Sequence, residues 1–428
     1  MHFKCLTGMR CFAAFLVIIS HFHNGKALVL EINGTSYEFW PQIASSIGMT
    51  IFFILSGVVI HLNYRQHFKN LAFDLVFDFF FRRFARLFPM LFFGLVVTLA
   101  VSNTTSKLNE TVFLNYSYLL LTPAFSWLPF FINEALQIQS IYGMSWSIST
   151  EIFFYLCYPL TAYFFLNILI HKRSILLVFL ALLLIPLSIF YYIFSHPTEI
   201  LSQFEALTFI PSITDKNIEQ QGLNSLIRWT VYVSPYGRVF EFLMGVSIAE
   251  LTLRRIKLFS KSSYKIEWLC IVLFIVFYVL LIFGNVDIAK SYFGTASFFH
   301  FLHQNILFAP LICMIIYLQL NNKTITRRLC ENPLVLKLGE ISYSLYINHI
   351  FLTWIFNWRH ANGFFSYIEV LVGITITILL SFATFEFIEK PVKKYLIKIY
   401  EIKQFVIPTR LLLVFSGFAS LYLMSNIK

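Results

Sequence analysis

Arg10 and His21 bracket the first apolar stretch of the chain, with ten mostly hydrophobic residues between them. Eleven helical steps of about 100° return to nearly the same face, about 16 Å along the axis. A cation and an imidazole on one face of so apolar a helix describe a polar path. Its far end holds a group that exchanges protons near neutral pH, so His21 is a candidate to move protons. Glu151, in SWSISTEIFFY (145–155), lies one to two turns into another apolar stretch, with Ser147 one turn before it. A carboxylate there needs a partner or water, and it is a candidate to pair with His21 or to share its substrate. Arg83 and Arg86, in FRRFARLFP (81–89), share a helix face, as do Arg82 and Arg86. Clustered guanidiniums suit the phosphates of a nucleotide-type ligand, and equally suit lipid headgroups. Ser56, in FFILSGVVIH (52–61), Trp146, and Tyr346 with His349 at i,i+3 are candidate cavity residues. Arg238 and Glu241 at i,i+3 read as a structural ion pair.

These residues must be positioned by elements that suit lipid. The chain of 428 residues is 58% hydrophobic and 12% charged, with a mean hydropathy of +0.74. Soluble domains carry about 25% charged residues. The apolar residues fall into blocks of roughly twenty, the length of a bilayer-spanning helix. The expectation is an all-α polytopic membrane protein of about ten to eleven transmembrane helices. The blocks lie near 11–30, 42–62, 84–101, 146–170, 174–194, 236–253, 267–284, 298–320, 334–356, 365–388 and 409–425. Residues 111–131 are apolar but broken by Pro123 and Pro129, which suits a re-entrant or interfacial segment better than a crossing. With the N-terminus placed in the cytoplasm, 24 Lys and Arg residues fall on the inner side and 8 on the outer. That asymmetry follows the positive-inside rule. It accounts for the net charge of +11 without nucleic acid. The six cysteines form no metal spacing, so no metal site or disulfide framework is expected. The N-terminal block lacks a small-x-small cleavage site and is expected to be a retained span rather than a signal peptide. Residues 195–235 form the longest hydrophilic segment, on the expected outer side.

The segments occur in an order that resembles the acyltransferase-3 family of integral membrane O-acyltransferases. Arg10 and His21 resemble its R-x10-H element. Phe52-Phe53-Ile54-Leu55-Ser56-Gly57 resembles F-F-x-x-S-G, and Arg83-Phe84-Ala85-Arg86 resembles R-x-x-R. SWSISTEIFFYLCYPL (145–160), GRVFEFLMG (237–245), LGEISYSLYINHIFL (338–352) and EKPVKKY (389–395) are similar to later landmarks. The first span departs from the family, with Thr7 where relatives carry an acid and Cys11 where they carry a glycine. The resemblance implies an acyltransferase-like membrane domain over 1–395. A cytoplasmic linker and one additional transmembrane helix follow over 396–428, with no SGNH domain. It implies acyl transfer, commonly acetyl, from cytoplasmic acyl-CoA to a hydroxyl of an outer-side glycan or lipid-linked sugar, with O-antigen or capsule as the favoured acceptor. Arg10, Arg83 and Arg86 would bind the donor. His21 would act as general base on the acceptor hydroxyl or briefly carry the acyl group, and Glu151 would orient it or balance its charge. Ser56, Trp146, Tyr346 and His349 would line the cavity. No permanently bound cofactor or metal is implied. The partners implied are acyl-CoA, the acceptor and membrane lipids, and the location is the bacterial inner membrane. Two other readings stay open on the residues alone. A flippase would use a polar tunnel equally well, although no inverted repeats are evident. A non-catalytic scaffold or sensor would use the same polar residues as helix glue.

Overall fold

A computed structural model describes residues 3–22, 28–32, 35–39, 42–103, 126–127, 145–169, 171–196, 199, 229–259, 263–283, 302, 305–359 and 367–402. The described chain is helical apart from one hairpin. Helix α1 spans Lys4–Phe22. Strands β1 (Leu28–Ile32) and β2 (Thr35–Phe39) pair antiparallel, with Leu28 opposite Phe39 and Ile32 opposite Thr35. The expected first span over 11–30 is therefore displaced, because the helix begins at Lys4 and ends at Phe22, and residues 28–30 belong to a strand. The sequence between the strands is Asn33-Gly34, the pair that two-residue hairpins favour.

Helix α2 spans Gln42–Tyr64 and passes into a 3-10 turn, Arg65–Phe68. Helix α3 spans Phe73–Asn103, so it begins more than two turns before the expected start at 84 and carries Arg82, Arg83 and Arg86 on helical geometry. Next come α4 (Ser145–Asn167), α5 (Lys172–Ser195), α6 (Pro235–Leu253) and α7 (Ser263–Phe283). Helix α8 covers only Ala309–Asn321 of the block expected at 298–320. The short helices α9 (Ile325–Cys330) and α10 (Pro333–Glu340) precede α11 (Ser342–Arg359). The expected span 334–356 is thus broken at Ile341. Helix α12 (Tyr367–Thr384) continues through a π turn, Phe385–Glu389, into α13 (Lys390–Glu401). Among the described residues, five helical stretches are long and apolar enough to cross a membrane: Lys4–Phe22, Ile43–Phe68, Lys172–Ile193, Ser263–Leu281 and Glu369–Glu401. The block at 409–425 lies outside the described residues, and so does all of 111–131 except Ser126 and Trp127.

Helices α1, α2 and α6 form the centre. In its apolar window α2 is 83% buried, whereas the windows of α5 and α7 are 22% and 17% buried. The outer helices turn Leu177, Leu180, Trp268, Leu269, Leu371 and Leu379 outward, as lipid-facing helices do. Close approach at the centre rests on glycine. A Cβ on Gly57 would collide with the Phe242 carbonyl of α6, and one on Gly245 would collide with the Ile54 carbonyl of α2. Gly8 and Gly339 likewise meet backbone, at Cys330 and Thr7, which docks α1 against α9 and α10. Small residues at helix contacts are what membrane bundles use in place of a hydrophobic driving force.

Candidate functional site

Polar side chains from five helices form a column through this centre. At one end α3 presents Arg83, which is 8% exposed. Its guanidinium lies over the Tyr64 ring at 4.7 Å and near the rings of Phe79 and Tyr155, at 5.8 and 5.9 Å. Its Nε and Nη1 are buried without a hydrogen-bond partner. Arg10 of α1 lies within electrostatic reach of Arg83, Arg86, Glu151 and Tyr155. Arg86 is within reach of the last two and of Glu389. Three arginines from two helices therefore converge. Arg82 does not join them, because it pairs with Asp78 one turn back at 2.9 Å.

Glu151 stands next in the column. Its Oε1 accepts from Ser56 and from Tyr155, each at 2.5 Å. Ser147, Glu151 and Tyr155 are spaced four apart, so one face of α4 supplies all three. The anticipated pairing of Glu151 with His21 is not made. The carboxylate is held instead by the two hydroxyls, within electrostatic reach of Arg10 and Arg86. One turn along α4, Ser147 Oγ meets Tyr346 OH at 2.6 Å. Phe52 packs edge-on against Tyr346, 6.1 Å away.

His21 and His349 close the column. Their ring centroids are 5.1 Å apart and tilted by 53°. Tyr346 lies 5.7 Å from His349, one turn back on the same helix. His21 Nδ1 lies 2.8 Å from the Val17 carbonyl, which fixes the ring against its own helix. His21, Arg10, Arg86 and Glu151 are only half-buried although they lie among packed helices, whereas His349 is fully buried. Trp146 stands away from this pair. It packs against Phe53 and Tyr232, at 6.2 and 5.0 Å, and so forms a wall beside Arg238. The expected ion pair is there, with Arg238 Nη1 donating to Glu241 Oε1 at 2.8 Å while Thr50 donates to the same oxygen at 2.7 Å.

Sequence reasoning passed over a second buried network. His61 Nε2 lies 2.8 Å from Glu250 Oε2, and Tyr158 OH lies 3.1 Å from His61 Nδ1. Arg65 and Arg254 also reach Glu250, at 3.2 and 2.5 Å. Glu250 near the end of α6 and His61 at the end of the apolar run FFILSGVVIH were its signals in the sequence. Tyr155 and Tyr64 were passed over as well, and the i,i+4 step from Glu151 to Tyr155 would have pointed to the first.

The column joins a phosphate-suited arginine cluster to a pair of imidazoles through hydroxyl and carboxyl groups. Guanidiniums so placed suit an anion, and imidazoles so placed suit proton exchange. A family model described as an acyltransferase domain matches residues 3–386, nearly the whole chain. Comparison with curated proteins and with solved structures finds no match. The chain belongs to the acyltransferase-3 family, and it is a membrane acyltransferase.

Proposed function

We propose that the protein is an O-acyltransferase, with acetyl as the group moved, acyl-CoA as the cytoplasmic donor and a hydroxyl of an outer-side glycan such as O-antigen or capsule as the acceptor. The reading places ten to eleven spans in a bacterial inner membrane with the N-terminus in the cytoplasm. The donor's phosphates bind at Arg10, Arg83 and Arg86, and its pantetheine arm runs along the column. The thioester meets His21 about 16 Å beyond Arg10. Glu151 balances the arginines and orders Ser56 and Tyr155 along the way. The acyl carbon passes to the acceptor oxygen, and the proton lost from that oxygen is taken by imidazole.

The observation that supports this most is Arg83. A buried guanidinium with two open N–H groups is costly unless an anion completes it. The test uses full-length protein in proteoliposomes with acetyl-CoA and extracted surface glycan. Thiol release should depend on both, and His21→Ala should lower it by at least about 100-fold with expression intact. Mass spectrometry of surface glycans should show the same loss of acetyl in the variant strain. A wild-type protein that consumes no thioester would support the flippase reading instead.

A further inference from the structure

His349 sits where a merely packed histidine has no reason to be left open. It is fully buried on α11. Its Nδ1 lies 3.3 Å from the Leu345 carbonyl, and its Nε2 is buried with no hydrogen-bond partner. On the same helix Ser344 donates to Glu389 at 2.6 Å, and Tyr346 meets Ser147. His21 is held in the same way, by Nδ1 against Val17. A ring nitrogen facing a carbonyl carries the proton, so each ring keeps its lone pair on Nε2. Two rings 5.1 Å apart therefore bring two bases to one site.

We propose that His349 is the base that deprotonates the acceptor hydroxyl, while His21 carries the acyl group from donor to acceptor. This rests on the acyltransferase reading above. A direct transfer moves one proton from oxygen to sulfur and needs a single imidazole. A two-step transfer needs a nucleophile and a separate base, because an acylated Nε2 has no lone pair left to take a proton. His21 shares a helix with Arg10 and so stands on the donor's path. His349 faces it from α11.

In the first step His21 Nε2 attacks the thioester carbon, the C–S bond breaks and CoA leaves as its thiolate. The acyl group then sits on Nε2, with the Nδ1 proton still held against Val17. In the second step the acceptor hydroxyl gives its proton to His349 Nε2 as its oxygen attacks the acyl carbon. The C–N bond breaks, and neutral His21 and the ester result. The proton on His349 leaves through water and the thiolate gains one, so overall one proton moves from oxygen to sulfur.

The test is rapid-quench thiol release from acetyl-CoA by reconstituted full-length protein. Without acceptor, wild type should release about one thiol per protein molecule and then stop. His349→Gln should keep that first release, lose turnover with acceptor by 100-fold or more, and show acetyl on the His21 peptide by mass spectrometry. His21→Ala should lose both. His349→Asn gives a second variant should the first fail to fold. The assignment is overturned if both His349 variants turn over within threefold of wild type. It is also overturned if, folded, they lose the first release, or if wild type turns over with acceptor but releases no thiol without it. A wild type that never consumes acetyl-CoA would instead overturn the acyltransferase reading beneath it.

Discussion

Arg83 is a residue whose type suits two roles, binding a phosphate ligand or binding a lipid headgroup, and whose surroundings differ from those of the second. A headgroup-binding arginine sits in the interface with its guanidinium in water. Arg83 is buried against three aromatic rings, with two N–H groups open. Arg83→Ala should raise the KM for acetyl-CoA by about 10- to 100-fold, the equivalent of a charge-assisted hydrogen bond worth about 1.5–3 kcal/mol, with kcat changed far less. Acetyl-pantetheine, which lacks the nucleotide, should be used equally by variant and wild type, and a matching loss with it would make Arg83 structural. Arg10 and His21 were legible in the sequence because an eleven-residue spacing is helical arithmetic. The partner of Glu151 was not, because its neighbours come from α1, α2 and α3, and no local spacing encodes which of them lies closest.

Helices bring these residues together only because their backbones approach closely. Gly57 and Gly245 are reciprocal, each facing a carbonyl of the other's helix. Gly57→Ala should therefore destabilise the bundle by about 1–3 kcal/mol, read as a lower melting temperature in detergent. Leu177→Ala, on an exposed face of α5, should change it little. An unchanged melting temperature for Gly57→Ala would mean that α2 and α6 separate more easily than their contact implies. At this scale the apolar blocks predicted α2, α4, α5, α6 and α7 closely. They missed the hairpin and the break at Ile341, since hydropathy measures how apolar a stretch is and not which backbone hydrogen bonds it makes. The early start of α3 was hidden for the opposite reason. Its first turns carry Asp74, Asp78 and Arg82, which a search for lipid-length apolar runs discards.

In the proposed function donor and acceptor lie on opposite sides of the membrane, so orientation is the largest consequence of the charge pattern. In a background without native cysteines, Lys69→Cys should react with an impermeant maleimide only from the cytoplasmic side, and Ser195→Cys only from outside. Both positions are exposed at helix ends. The reverse labelling would invert the path from donor to acceptor. By itself the sequence determined that the chain is a helical membrane protein, which family it resembles, and that Arg10 and His21 share a face. Each follows from composition, motif order or helical period, all of which are local in the chain. Only the tertiary structure decided that Glu151 meets Ser56 and Tyr155, that His349 faces His21, and that His61, Tyr158 and Glu250 form a second network. Those contacts join residues as far as 328 positions apart, and they depend on how helices rotate about their axes once glycine contacts have set their distance.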